Sequence, residues 1–239
     1  MGVTIISLTS IPSRFKYLPA IVYQLSKQGY DIWLNIPHSY NRFPNQEVVI
    51  PDIQLSNVKI NRCKDYGPGT MYFGPIEGGC TADNVIVVND DTSYPDNMAK
   101  TFISFMDANP ACWCMSGFNI DEYCKNNGKV NRYDGADIDV TESYGGVILQ
   151  LSWLQDVKHE FESLLELTYN DDILVSNLMA KMGINRKTIC NHILNIGMIK
   201  QYSYGMEQDA LWQNDGEGSH VPNNKRVFEI LKKNEVYYF

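Results

Sequence analysis

Two pairs of adjacent aspartates carry the most chemistry in this chain. Asp90 and Asp91 follow an apolar run in "VIVVNDDTSYP", and Asp171 and Asp172 follow Asn170 in "NDDILVSN". Carboxylates are hard oxygen donors, suited to Mg²⁺ or Mn²⁺ rather than to soft metals. An ion on the first pair can bridge a carboxylate to a diphosphate and neutralise charge as that leaving group departs. A solvated turn capping the next helix accounts for Asn89-Asp90-Asp91 equally well. The second pair opens a segment that Asn170 can cap, where two acids in a first helical turn are favourable for structural reasons alone.

Three further stretches offer functional groups. Arg14, in "SLTSIPSRF", can grip a phosphate or stack on a base. "RCKDYGPGT" sets Asp65 and Tyr66 beside a Gly-Pro-Gly turn, an acceptor and an aromatic able to frame a nucleobase. "GEGSH" and the following "KR" supply His220, Lys225 and Arg226 for a metal or a pyrophosphate, with backbone amides at a helix start assisting. Taken singly, each has a plainer account: a surface arginine, an ordinary turn, cations at the start of a helix.

The elements that must position these groups read as alternating strands and helices. "VTIISLT" (3–9) is continuous and β-branched, hence a buried strand. "PSRFKYLPAIVYQLSKQG" repeats apolar residues at helical spacing and stops at Gly29. "DIWLNIP" (31–37), "VKINR" (58–62) and "VIVV" (85–88) are further strands. "SYPDNMAKTFISFMDANP" puts Met98, Phe102, Phe105 and Met106 on one helical face, with Pro95 near its first turn. "ACWCMSG" (111–117) is a strand that turns Cys112 and Cys114 to one face. Residues 119–140 read as a polar surface excursion, "SYGGVILQLSWL" as a strand leading into a helix, and 170–183 as a helix. A loop then runs into a last short helix. Strands separated by crossovers predict a mostly parallel sheet flanked by helices in a single domain. Ligands of such sheets gather at the carboxyl ends of the strands, where Asp90 and Asp91 fall.

The bulk properties narrow the partners. Among 239 residues, 28 acids against 20 Lys and Arg give a formal charge of -8, and no basic block stands out. Long-range attraction to nucleic acid or to an anionic membrane is therefore not expected. A metal ion reverses the local sign and lets a net-acidic chain take a nucleotide diphosphate. "MGVTIISLTSIPSR" lacks the basic start, apolar stretch and cleavage site of a leader. Gly2 makes no myristoylation signal with Ile6 in the Ser/Thr place. No apolar run reaches membrane-spanning length. The six cysteines lack CxxC spacing, which favours buried free thiols in a reducing compartment over a zinc site.

Taken in order, "SLTSIPSR", "DYGP", an acidic motif after a hydrophobic strand, "GG" before an apolar run, "DDI" opening a helix and "H…KR" near the end resemble nucleotide-sugar glycosyltransferases of the GT-A fold. The likeness is closest to a group found in bacteria and large DNA viruses, and more distantly to exostosin-like enzymes, and it covers most of the chain. It implies a Rossmann-like three-layer sandwich with a mostly parallel central sheet. The nucleotide-binding half would be about 1–92 and the acceptor half about 93–239. It also implies a donor, with a UDP-sugar favoured, a glycan or glycoprotein acceptor, and a cytoplasmic location (the host's, if the source is viral).

The resemblance assigns roles residue by residue. Thr9, Ile11, Arg14, Asp65, Tyr66, Asn89 and Asp90 would meet the nucleotide. Asp91 would be the principal Mn²⁺ or Mg²⁺ ligand, supported by His220, with Arg226 at the leaving group. The family's metal motif is Asp-x-Asp, and Asn89 departs from its first position; an amide can still bond a ribose hydroxyl. Met71 stands where a lysine is expected, which removes a phosphate contact. Gly145 and Gly146 would let the backbone approach the donor sugar or acceptor, or simply bend a strand. A carboxylate of "NDDI", Asp172 ahead of Asp171, would deprotonate the acceptor hydroxyl in an inverting transfer.

Two rivals stay open. A sugar-phosphate nucleotidyltransferase shares the layered fold and the metal need, but no Gly-rich phosphate loop with a following basic residue lies near the N-terminus; pyrophosphate release would mark it. A non-catalytic carbohydrate- or Ca²⁺-binding module also suits an acidic cluster, and sugar binding without nucleotide binding would mark that. "GPIEGG" matches neither the P-loop nor the dinucleotide fingerprint.

Overall fold

The computed structural model describes residues 2–125, 135–189, 200–202 and 220–239. One seven-stranded sheet organises them. It contains β1 (Thr4–Thr9), β2 (Asp31–Pro37), β3 (Val58–Cys63), β4 (Asn84–Val87), β6 (Cys112–Cys114), β9 (Val147–Gln150) and β10 (Arg186–Thr188), ordered β10-β6-β9-β4-β1-β2-β3. Every pairing is parallel except those of β9, which runs antiparallel to both β4 and β6. Strands from both halves of the chain thus share one sheet, and the fold is α/β with a mixed, mostly parallel sheet. Two two-stranded ribbons join β5 (Thr92–Ser93) to β11 (Lys200–Gln201) and β7 (Gly117–Phe118) to β8 (Val140–Thr141).

The continuous apolar strands are buried on both faces, as a parallel sheet covered by helices requires. Ile5, Val85, Val87, Leu149, Cys112 and Cys114 face one core, with α2 (Thr70–Glu77), α5 (Leu151–Leu165), α6 (Asp171–Lys181) and α7 (His220–Lys233). Ile6, Leu8, Ile86, Val88, Ile148 and Trp113 face the other, with a 3-10 helix (Pro12–Tyr17), α1 (Leu18–Ser26) and α3 (Met98–Ala108). Strand period two sends neighbours to opposite cores. No helix among the described residues is long and apolar enough to cross a membrane.

The helix α2 is absent from the sequence reading, because its segment carries Gly74 and Pro75. Proline lacks the N–H that would bond the carbonyl four residues back, here Met71. Ser7 Oγ of β1 donates to that carbonyl instead, at 2.5 Å. A tertiary hydroxyl replaces the missing helical donor.

The expected excursion 119–140 is partly core. Ile120 and Tyr123 of α4 (Ile120–Lys125), together with Ile138 and Val140, are buried, while 126–134 lie outside the described residues. The expected strand 111–117 is interrupted at Met115 and Ser116 and resumes as β7. Of the described cysteines, four are buried free thiols and Cys124 is exposed; Cys190 lies outside the described residues.

Candidate functional site

The parallel strands end at one edge of the sheet, and β9 begins there because it runs the other way. Beyond β4 the chain turns through Asn89, Asp90 and Asp91. Asp90 and Asp91 are only 7 % and 6 % exposed, so the solvated turn is not what forms. Neither caps α3, whose N-cap is Asn97. Arg14, from the 3-10 helix after β1, places Nη1 2.8 Å from Asp90 Oδ1 and 3.2 Å from Asp91 Oδ2. Ser10 Oγ donates to Asp90 Oδ2 at 2.5 Å, and Thr92 Oγ1 donates to Asp91 Oδ1 at 3.2 Å. Burial pushes the Asp90 carboxyl above its ordinary range against the pull of Arg14 and Ser10. One guanidinium thus serves both carboxylates in a desolvated place.

Two hard carboxylates fit Mg²⁺ or Mn²⁺, which keep waters and take phosphate oxygens beside one or two protein ligands. Among the described residues no three of His, Cys, Asp and Glu stand together to hold an ion unaided. His220 begins α7, and its side chain lies outside the described residues.

The expected nucleotide residues divide. Thr9 Oγ1 donates to the Asn35 carbonyl at 2.8 Å, and Ile11 is the half-buried N-cap of the 3-10 helix. Asp65 accepts the Asn41 N–H at 2.7 Å and the Gly67 N–H at 2.8 Å, clipping the loop after β2 to the turn after β3. Tyr40, which the sequence reading missed, donates to the Ser10 carbonyl at 2.7 Å. Tyr66 is corrected: it is fully buried against Phe73, with its hydroxyl on Glu77, so a base has no face to stack on. Met71 is buried too.

Across β9 the 3-10 helix Ser143–Gly145 joins the two acid pairs. Asn89 N–H donates to the Tyr94 hydroxyl at 2.8 Å, and that hydroxyl donates to the Tyr144 carbonyl at 3.1 Å. Next to Tyr144, Ser143 N–H donates to Asp172 Oδ1 at 2.9 Å. Gly146 adopts φ +79°, and a Cβ there would lie 3.1 Å from Phe102; one on Gly145 would lie 2.9 Å from the Ser116 nitrogen. Internal packing thus accounts for the glycine pair. Ser116 Oγ lies 2.5 Å from Glu142 Oε2 and 2.8 Å from the Tyr144 hydroxyl, which adds Glu142 to the carboxylates of this edge.

Asn170 caps α6 as expected, accepting the Ile173 N–H at 3.0 Å. Asp171 is buried and Asp172 half-buried. Burial pushes Asp171 up to about 6 against the helix-terminal amides. Burial, then the charges of Asp171 and Glu142, hold Asp172 well above the carboxylate range. The cap also anchors α7: Asn170 Nδ2 donates to Asn224 Oδ1 at 3.1 Å, and Asn224 Nδ2 to the Tyr123 hydroxyl at 3.2 Å. Lys225 and Arg226 stand inside α7, more than a turn beyond its start at His220. Arg226 is exposed, with no hydrogen bond or ion pair to either acid pair among the described residues.

Ser10, Tyr94, Glu142, Tyr144 and Asn224 carry no local signal in the sequence; only their long-range partners mark them. Compared with known proteins, the chain matches no family model and no curated protein.

Proposed function

We propose that the chain is a metal-dependent glycosyltransferase of GT-A type that moves a sugar from a nucleotide-sugar, with a UDP-sugar favoured, to a hydroxyl of a glycan or glycoprotein. One observation carries the reading: two acid pairs, buried but for Asp172, lie at the carboxyl edge of a mostly parallel sheet, connected through Asn89, Tyr94, Tyr144 and Ser143. Such an edge is where nucleotide ligands of α/β sheets bind.

Asp91, with Asp90 beside it, would hold Mn²⁺ or Mg²⁺. When bound, that ion supplies charge neutralisation for a diphosphate. Arg14 fixes the orientation of both carboxylates. Thr9, Ile11, Asn41 and Asp65 line the nucleotide side, and Asn89 offers an amide to a ribose hydroxyl. On the other side Asp172 faces the acceptor. Once ionised, a carboxylate held above its usual range is the stronger base, which suits removal of a hydroxyl proton. The acceptor oxygen bonds to the anomeric carbon as the bond from that carbon to the diphosphate oxygen breaks. The proton passes to Asp172 and the electron pair leaves with the nucleotide, which gives inversion.

Isothermal titration of UDP with and without Mn²⁺, on the wild type and on Asp91→Ala, tests the donor site. Metal-dependent binding that is lost in the variant is expected, and UDP-sugar hydrolysis should then be detectable. Absence of UDP binding under both conditions would remove the UDP form of the proposal.

A further inference from the structure

The short strand β8 and the turn that follows it run between two supports. In extended chain successive N–H groups point to opposite edges, and Glu142 is extended, with φ -108° and ψ 118°. The N–H groups of Thr141 and Ser143 therefore share one edge, and both meet α6. Thr141 N–H donates to Ser176 Oγ at 3.0 Å, and Ser143 N–H donates to Asp172 Oδ1 at 2.9 Å. Asp172 and Ser176 are one helical turn apart, so a single face of α6 takes both amides.

The opposite edge belongs to Ser116, buried in the break between β6 and β7. Its carbonyl accepts the Glu142 N–H at 2.8 Å. Its hydroxyl lies 2.5 Å from Glu142 Oε2 and 2.8 Å from the Tyr144 hydroxyl. A hydroxyl has one proton and a carboxylate oxygen only accepts, so Ser116 donates to Glu142 and accepts from Tyr144. A Cβ on Gly145 would lie 2.9 Å from the Ser116 nitrogen, so the turn is seated directly on the serine. Ser116 thus grips the chain on both sides of the one amide that bonds Asp172.

We propose that Ser116 is a positioning residue for Asp172. By fixing the side chains of Glu142 and Tyr144 it aims the Ser143 N–H at Asp172 Oδ1, and so sets the direction of that carboxylate. Ser116 is only 1 % exposed and acts through these neighbours rather than on a substrate. The Tyr94 hydroxyl on the Tyr144 carbonyl, at 3.1 Å, ties the same turn to the Asn89 side. That Asp172 then serves as the acceptor's base rests on the transferase reading; the aiming of its carboxylate does not.

Amide NMR and hydrogen exchange of the full chain test this without any substrate. Asp172→Ala marks where the Ser143 amide proton lies when its carboxylate partner is gone. In Ser116→Ala the Ser143 signal should move towards that position and exchange about tenfold faster or more, the mark of a locally opened bond. The Thr141 amide, held by Ser176, should keep its protection. A folded Ser116→Ala with a wild-type Ser143 amide overturns the proposal, and so does an equal loss of protection at Thr141, which would mean general loosening. Should that variant not fold, Glu142→Ala removes the acceptor of the serine proton, and an unmoved Ser143 amide there overturns it. UDP titration separates the two ideas. No UDP binding with the expected Ser143 response removes the UDP form of the transferase reading and leaves the positioning role standing. Metal-dependent UDP binding with an unmoved Ser143 amide does the reverse.

Discussion

Arg14 Nη1 reaches both members of the first acid pair, Asp90 Oδ1 at 2.8 Å and Asp91 Oδ2 at 3.2 Å, and all three side chains are nearly buried. The guanidinium that looked available for a phosphate therefore has a prior duty. Without it, two carboxylates remain in a desolvated turn. Arg14→Ala should cost about 3–5 kcal/mol at neutral pH, the cost of stripping a buried charge of its partner. The Asp90 carboxyl is already raised, and losing Arg14 raises it further. The deficit should grow with rising pH and shrink in acid as the carboxyls protonate. Urea denaturation of both proteins at several pH values measures this, and an equal deficit at every pH would exclude the electrostatic cause.

The second pair makes the opposite use of pH. Asp171 has a folded value of about 6, above the ordinary carboxylate range. A raised folded value favours folding fully below the unfolded carboxyl's titration, near ~4, and that contribution is lost as pH climbs through about 6. Asp171→Asn removes the titration, so the variant should gain on the order of 2 kcal/mol over wild type at pH 7.5. The two should converge near pH 4. Parallel stability curves would show that Asp171 does not titrate as stated.

If Asp172 is the acceptor's base, Asp172→Asn should lower transfer by roughly 10²–10⁴-fold, in kcat more than in KM. Metal-dependent UDP binding should survive, since Asp172 lies on the other side of Ser143 and Tyr144. Equal losses in binding and turnover would assign Asp172 to the donor site instead.

Ser7 and Pro75 should be coupled through the Met71 carbonyl. Ser7→Ala leaves that buried carbonyl without its donor and should cost about 1–3 kcal/mol. Pro75→Ala restores a backbone N–H four residues along. In a double-mutant cycle the pair should be less destabilising than the sum of the single changes. Additive effects would mean that α2 does not use Ser7 to complete its hydrogen bonding.

Gly146 has φ +79° and only 3.1 Å between a would-be Cβ and Phe102. Gly146→Ala should therefore cost about 1–3 kcal/mol in backbone strain alone, with a further loss from the clash. Thermal unfolding reads the effect, and a stability equal to wild type would show that the 3-10 helix relaxes without strain.

The sequence by itself determined the sheet-forming runs, the cap on α6 and the placing of Asp90 and Asp91 beyond a buried strand. These are local properties: β-branched continuity, a period of two or 3.6, an Asn ahead of a helix. The tertiary structure decided what those residues meet. Arg14 and Asp90 are 76 positions apart, Ser10 and Asp90 80 apart, and Asn170 and Asn224 54 apart. Hydrophobic period tells which face of an element is covered, not which strand lies next to it. The order β9-β4-β1 puts the loops after β4 and β1 beside the start of β9, so the two acid pairs share one edge. The same packing buried Tyr66, whose sequence context matches that of an exposed aromatic in a turn, and let Ser7 stand in for the proline's missing donor. Such outcomes depend on strand order and on desolvation by distant residues, neither of which is written in any local stretch.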